Sequence, residues 1–169
     1  MGQEESNSDF VIRSFQSSDL DACRRLYREG LIGGQIAEND TGLDIDDIDA
    51  AYLRTTGNHF WVAQIHSGEI VGMIGVMHSD GVGEIRRLRV AESHQRRGIG
   101  SALLEHAVKF CQEHNYLKVA LDTFMEREPA LKLFDKFRFR HGRTRSYAGK
   151  DLLYFYLDLY TSDQKDDPT

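Results

Sequence analysis

The stretch from Glu84 to Glu113 limits what this chain can fold into more than any other. Glu84-Ile85-Arg86-Arg87-Leu88-Arg89-Val90 reads as a strand, a polar connection follows, and Gln95-Arg96-Arg97-Gly98-Ile99-Gly100 runs straight into a helix. From Gly98 to Asn115 the apolar positions Ile99, Ala102, Leu103, Ala107, Phe110 and Cys111 recur every three or four residues, the period of a helix with one buried face. Such a helix has to pack on a sheet. A strand that feeds a glycine loop and then a helix points unpaired backbone N–H groups, and the positive end of a helix dipole, at one spot. The glycines let an anion approach the main chain closely, so a phosphate-bearing ligand is the natural guest. The plainer alternative is that Gly98 and Gly100 only shape a turn and Arg96 and Arg97 only solubilise it. The pattern is neither a Walker loop, which ends Gly-Lys-Ser/Thr, nor the three-glycine dinucleotide fingerprint.

At 169 residues the chain has room for one domain, and we expect a folded unit over residues 10–160, with acidic tails at 1–9 and 161–169. No stretch approaches the roughly 18 apolar residues of a spanning helix, and Met1 to Asp9 has no apolar signal core, which suits a soluble, cytoplasmic protein rather than a membrane or exported one. Met1-Gly2-Gln3-Glu4-Glu5-Ser6 fits a loose myristoylation pattern but lacks a polybasic partner. Cys23 and Cys111 lie 88 positions apart, too few and too distant for a disulfide framework or a zinc site, so both are expected reduced and buried. The seven histidines form no metal-ligand spacing, and no metal is expected. The net charge of −6 sits mostly in the tails. Within the body, residues 38–49 hold six acids and no base, while 84–101 sum to +3 and 128–150 to +5. Nucleic acid is disfavoured, because the acidic stretch would repel phosphates and no basic-aromatic RNA motif occurs.

Phe10 to Phe15 is a short alternating run, and Ser17-Ser18-Asp19 starts a helix carrying Leu20, Cys23, Leu26 and Tyr27, closed by Gly30, Gly33 and Gly34. Asp44 to Arg54, with Ile45, Ile48, Ala51 and Tyr52, predicts a second, acidic helix. Phe60–Ile65 and Ile70–Met77 form a hairpin, followed by a strand over Val82–Val90. Lys118–Thr123 is a buried-type strand, Pro129–Phe137 a helix with proline in its first turn, and Phe139–Tyr147 with Leu152–Leu159 a second hairpin. The expected fold is α/β: a mixed, mostly antiparallel sheet of about seven strands flanked by helices on both faces.

Gln95, Gly98 and Gly100 fill the Gln/Arg-x-x-Gly-x-Gly/Ala signature that lies between a strand and a helix in the GNAT-type N-acetyltransferases, and the chain resembles that family over about 150 residues. Pro129-Ala130-Leu131-Lys132-Leu133-Phe134-Asp135-Lys136-Phe137-Arg138-Phe139 is similar to the family's second helix motif. The resemblance implies the acyl-CoA N-acyltransferase fold and acetyl-CoA as co-substrate. It implies that Gln95, Arg96, Arg97, Gly98, Ile99, Gly100 and Ser101 grip the pyrophosphate, and that Leu88, Arg89 and Val90 receive the pantetheine arm as an added strand. Ile85 and Leu88 are an odd number apart while Leu88 and Val90 are two apart, so either a bulge lies near Arg86 and Arg87 or Ile85 packs on the opposite face.

Transfer to an alkyl amine needs the neutral amine, which costs roughly 4.6 kcal/mol at pH 7 for a group of pKa about 10.4 unless the site helps. The resemblance puts a base at Glu84, whose alternative is a carboxylate paired with Arg86 or Arg143; His78 and Asp80 are weaker candidates, more readily turn residues. It assigns the backbone N–H of Val90 to the developing oxyanion. The family's thiolate-protonating tyrosine is replaced here by Phe134, leaving Tyr147 or Tyr154 as substitutes or ordinary sheet aromatics. Arg127 holds the slot of a common asparagine, and Arg138 that of a glycine. The acidic run of Glu38, Asp40, Asp44, Asp46, Asp47 and Asp49 either selects a cationic amine or is a solvated face. The expected activity is acetyl transfer from acetyl-CoA to a primary amine, small molecule or peptide, with a non-catalytic acyl-CoA-binding module as the alternative. An aromatic last strand, Leu153 to Leu157, offers a way to pair with a second subunit in a homodimer.

Overall fold

Strand β3 (Ile70–Ser79) is buried from Ile70 to Val76 and forms the spine of the molecule. The structure, a computed structural model, describes residues 9–29, 40–124, 128–147 and 149–159. On one side β3 pairs with β2 (His59–Ile65), which pairs with β1 (Phe10–Ser14). On the other it pairs with β4 (Val82–Val90), followed by β5 (Lys118–Phe124), β7 (Lys150–Asp158) and β6 (Arg140–Tyr147). The order β1-β2-β3-β4-β5-β7-β6 makes seven strands, all neighbours antiparallel except β4 and β5. That parallel pair needs a crossover, supplied by the long helix α3 (Ile99–Glu113).

Two cores lie on opposite faces of the sheet. On one, α3 buries Ile99, Leu103, Leu104, Ala107, Val108 and Cys111, each large side chain contributing on the order of 2 kcal/mol. Gly72 permits this approach, since a Cβ there would meet Ile99 Cγ2 and Leu103 Cδ1 at 3.0 Å. Helix α4 (Glu128–Lys136) adds Ala130 and Phe134 to the same core. On the other face, α1 (Leu20–Glu29) buries Cys23 and Leu26 against Phe60, Val62 and Met73. Gly75 opens that side to Tyr52, whose ring atom Cε1 lies 2.7 Å from where a Cβ would stand. Helix α1 starts where the Asp19 carboxylate accepts the Gln16 backbone N–H at 2.8 Å and two bonds from Arg13 at 2.8 and 2.9 Å.

The acidic helix expected over Asp44–Arg54 is broken in two: α2 (Leu43–Asp46) ends where Asp47 turns to φ −145°, and one wide π-type turn covers Asp49–Leu53. The apolar spacing survives the break, because Ile45, Ile48 and Tyr52 still reach one core. The last strand differs too. β7 lies between β5 and β6, hydrogen-bonded on both edges, so Leu153 to Leu157 cannot pair with a second subunit. The sheet edges are β1 and β6. Both cysteines are buried free thiols, as their spacing led one to expect. No helix among the described residues is long and apolar enough to cross a membrane. The glycines placed at the end of α1, and both tails apart from Asp9, lie outside the described residues.

Candidate active site

β4 and β5 run together for three residue pairs, Val82–Lys118, Gly83–Val119 and Glu84–Ala120, and then part. β5 continues to Phe124 beside β7, whereas β4 stays with β3. A bulge bends β4 at this point: three β3 residues, Met73 to Gly75, face four on β4, Arg86 to Arg89, and Arg87 takes φ 57°. The odd spacing of Ile85 and Leu88 thus has its bulge. The parting leaves a narrow cleft of about 70 Å³ lined by Ile85, Leu88, Arg89, Leu121, Thr123 and Phe134 among others. Beyond the bulge Ala91 donates to the Val71 carbonyl at 2.7 Å, beside the Gly72–Val90 pair. Amides alternate along an antiparallel ladder, so the N–H of Val90, and of Leu88 two residues earlier, turns away from β3 towards the parted side. Gln95 Nε2 donates to the Val90 carbonyl at 3.1 Å, tying the loop to the end of the strand.

The loop itself is a cradle of donors. Arg96 (φ 63°) and Gly98 (φ 83°) adopt left-handed backbone, and a Cβ on Gly98 would meet nothing within 4 Å. The first bond of the α3 ladder runs from Ala102 N–H to the Gly98 carbonyl at 3.0 Å, and no side chain caps the helix. The amides of Ile99, Gly100 and Ser101 therefore precede the ladder and face outward with the dipole behind them. Arg96 and Arg97 are exposed beside them. Lys136 of α4 donates to Ser101 Oγ at 3.2 Å, bringing a further cation to this spot. The second helix motif was read for its apolar face, and its last-turn lysine was missed there. These groups fit a diphosphate with an extended arm running to the cleft: open amides, an uncapped helix start, added cations, and a strand edge without a partner.

Glu84 stands at the last paired position of β4 before the gap, half-buried, with Arg86 Nη2 3.2 Å from its Oε1. The pairing alternative foreseen for Glu84 is thus present, with Arg86 as the partner. Asp122, two residues past Ala120 on β5, belongs to the same sheet face and was missed by the sequence reading. A lone acid directly after the apolar run Val119-Ala120-Leu121 was the signal. Asp122 is exposed to solvent but partly desolvated by the strands around it, and that, then the nearby Glu84, holds its carboxyl above the usual carboxylate range, against Arg145, Arg143 and Arg86.

Val90 is buried in the core, and Phe134 is buried at the cleft, packing on Phe139 and Phe155 with ring centroids 5.9 and 5.8 Å away. Tyr147 has its backbone opposite Lys150 at the tip of the β6–β7 hairpin. Tyr154 lies opposite Asp122, stacked on Tyr156. Arg127 lies outside the described residues. His78 stacks on Tyr116 at 4.2 Å and its ring accepts the Gly81 N–H, which makes it a turn residue.

The acidic run does something neither reading foresaw. The Arg87 guanidinium, thrown out by the bulge, binds both Asp40, at 2.9 Å through Nη2, and Asp44, at 2.9 Å through Nε. Tyr52 donates to Asp44 at 2.6 Å, and the Tyr27 ring lies under Arg87 at 4.9 Å. Asp46 pairs with Arg24 and Asp49 with Arg54. Most of the run is thus spent on ion pairs within the fold, while Glu38 lies outside the described residues.

A model of the acetyltransferase (GNAT) family matches residues 20–139. The N-acetylaspartate synthetase of Danio rerio is 35% identical over 108 residues, 62% of this chain and 38% of that protein. N-acetyltransferase 8 of Homo sapiens is 31% identical over 103 residues, 57% of this chain and 45% of that protein. The chain thus spans less than half the length of these relatives. Among solved structures, an acetyltransferase of the GNAT family from Staphylococcus aureus Mu50 superposes with a TM-score of 0.76 at 20% identity, covering 89% of this chain and 99% of that one. A spermidine N-acetyltransferase from Vibrio cholerae, in complex with CoA and spermine, does so with a TM-score of 0.71 at 14% identity, covering 90% and 96%.

Proposed function

The chain belongs to the acetyltransferase (GNAT) family, and on that premise we propose that it moves the acetyl group of acetyl-CoA to a primary amine. The observation that carries the reading is the parting of β4 from β5 just past Glu84, beside the uncapped start of α3. In this reading the amides of Ile99, Gly100 and Ser101, with Arg96, Arg97 and Lys136, hold the diphosphate. The outward amides of Leu88 and Val90 take the arm along β4, and the Val90 N–H meets the charge that develops on the carbonyl oxygen. Acetyl-CoA supplies the thioester: the amine lone pair forms the C–N bond, the C–S bond breaks, and the sulfur leaves with the electron pair. Glu84 takes the proton that the amine must shed, directly or through water, and the balance closes when the thiolate is protonated to the free thiol. Phe134 packs at the cleft without donating, so the thiolate, a weak base, acquires its proton from Tyr147, Tyr154 or solvent. The two buried free thiols support a reducing, cytoplasmic setting. A homodimer built by strand addition would use β1 or β6.

Coenzyme A tests the reading first. A ligand at 100 times its Kd adds about 2.7 kcal/mol to stability, so the melting temperature should rise by several degrees. No shift at millimolar coenzyme A would overturn the site. Thiol release with an amine panel then separates transfer from mere binding, since a melting shift without release would leave only an acyl-CoA-binding module.

A further inference from the structure

We infer that the outer edge of β6 receives an extended segment of another protein, one in which acidic and apolar residues alternate. The inference stands apart from the acetyl-transfer reading, because the cleft takes no part in it. β6 closes the sheet, and its outer edge pairs with no strand among the described residues. Along such an edge every second residue turns its N–H and C=O outwards, which makes a template for one more strand.

One face of that strand is lined with arginines. Arg140 lies opposite Tyr156, Arg143 opposite Tyr154 and Arg145 opposite Leu152. These β7 residues are two apart and share a face, so the three arginines share it as well. Arg140 and Arg143 are an odd number apart, and they fall in line because β6 bulges between His141 and Arg143. Gly142 stands in the bulge, where a Cβ would meet Tyr154 Cδ1 at 2.8 Å and Tyr156 Cδ1 at 3.3 Å. The three arginines are exposed, and none of them forms an ion pair among the described residues. β6 itself carries no acid, and Asp122 lies two strands away on β5.

The opposite face supplies a pocket. Leu131, Phe139, Leu153 and Phe155 floor a cavity of about 300 Å³ bordered by His141 and Thr144 of β6. Asp135 and Asp151 also line it, so an apolar side chain fits there and an acidic one is repelled. An added strand shows its side chains to the two faces in turn, and the arginine face asks for acids. The partner therefore reads acid, apolar, acid, with its acids spaced like Arg143 and Arg145, roughly 7 Å apart. A slip of one residue would set its acids against Asp135 and Asp151 and its apolar residues against the arginines.

Two other occupants fit less well. A second copy paired through β6 would bring the same arginines against one another. A nucleic acid has no peptide main chain to pair with the edge. The rings on which its bases would stack are each already taken on one side, Tyr154 by Arg143 at 5.1 Å and Tyr156 by Lys118 at 5.3 Å.

The test mixes the whole protein, without acetyl-CoA, with a nonapeptide of alternating aspartate and leucine whose acetylated N-terminus cannot serve as an acceptor. Calorimetry should show binding that weakens as salt rises. A peptide of the same composition with its aspartates and leucines in two blocks, and one with lysine in place of aspartate, should bind at least about tenfold more weakly. Arg143→Gln combined with Arg145→Gln should weaken binding about tenfold and flatten its salt dependence. Thr144→Trp, which fills the mouth of the cavity, should weaken binding with the salt dependence retained. All three positions are exposed, so the melting temperatures of the variants should match the wild type. In hydrogen exchange the peptide should slow the amides of β6 and leave those of β1, the opposite edge, as they were. Equal binding of the block and alternating peptides, indifference to the arginine variants, or protection of β1 in place of β6 overturns the proposal. Tighter binding of a short oligothymidylate overturns it in favour of a nucleic-acid surface. A dimer in sedimentation whose dissociation constant the arginine variants change overturns it in favour of a subunit interface. Because the peptide is blocked and the cleft is not used, failure here leaves the acetyl-transfer reading standing, and failure of that reading leaves this surface.

Discussion

Asp122 on β5 lines the cleft itself, but Glu84 sits where the two strands part, at the last paired position of β4. Its worth to the reaction depends on pH. An alkyl amine is almost wholly protonated at neutral pH, and the fraction already neutral grows tenfold for each unit towards its pKa of about 10.4. Glu84→Gln should therefore lower kcat by about 100-fold near neutrality, least at high pH, with the coenzyme A Kd unchanged. A uniform loss at all pH values would make Glu84 a structural partner of Arg86. Asp122 is the control, since it faces the same space and binds its proton more readily than an ordinary aspartate. Asp122→Asn changing the profile more than Glu84→Gln would move the base to β5. The Glu84 position was legible from its strand and the resemblance. Asp122 was legible only as an acid directly after an apolar run, because nothing local shows that β5 meets β4 at Ala120.

At the scale of elements the bulge is a clamp. Arg87 leaves the line of β4 at φ 57° and reaches residues 43 and 47 positions earlier, fastening the start of α2 to the strand that bounds the cleft. The odd spacing of apolar residues made the bulge readable, but no local pattern could reveal partners so far away in sequence. The break in the acidic helix was hidden for a related reason: Ile45, Ile48 and Tyr52 keep helical spacing although Asp47 leaves helical geometry. Removing one side of a buried pair strands the other, so Arg87→Ala should cost on the order of 3 kcal/mol, and combining it with Asp40→Asn and Asp44→Asn should recover much of that. Burial alone would raise both carboxyls, yet the hydrogen bonds from Arg87 outweigh it and hold them below their ordinary 3.8. The clamp thus contributes fully above that value and fades as pH falls through the lower folded-state values. Urea midpoints measured from about pH 5 to pH 2 should fall steeply in the wild type and less in the triple variant. Parallel curves for the two would mean that the clamp contributes nothing to acid stability.

The whole molecule is unevenly braced. β3 has a strand on either side and a helical layer on both faces, with Val71 to Val76 buried, whereas β6 is an edge strand exposed from Arg140 to Ser146. That strand order was missed although the sequence held a signal: Phe139–Tyr147 carries Arg140, His141, Arg143 and Arg145, as an edge strand can, whereas Leu152–Leu159 is apolar but for Asp158. Local opening should follow the bracing, with β3 amides exchanging only on global unfolding and β6 amides long before it. β4 is the instructive case, because it has two behaviours along one strand. Up to Glu84 it has neighbours on both edges, and from the bulge onward only β3. In the free protein the amide of Arg89, paired with Met73, and that of Ala91, bonded to Val71, should exchange slowly, while those of Leu88 and Val90 between and beside them exchange fast. Coenzyme A should slow Leu88 and Val90, together with Ile99, Gly100 and Ser101, and leave Arg89 and Ala91 as they were. The alternation separates a strand edge held open for a ligand from a strand that is merely loose, in which all four amides would exchange fast together. If Val90 exchanged as slowly as Arg89 before any ligand was added, its N–H would already be bonded within the protein, and no arm could pair there.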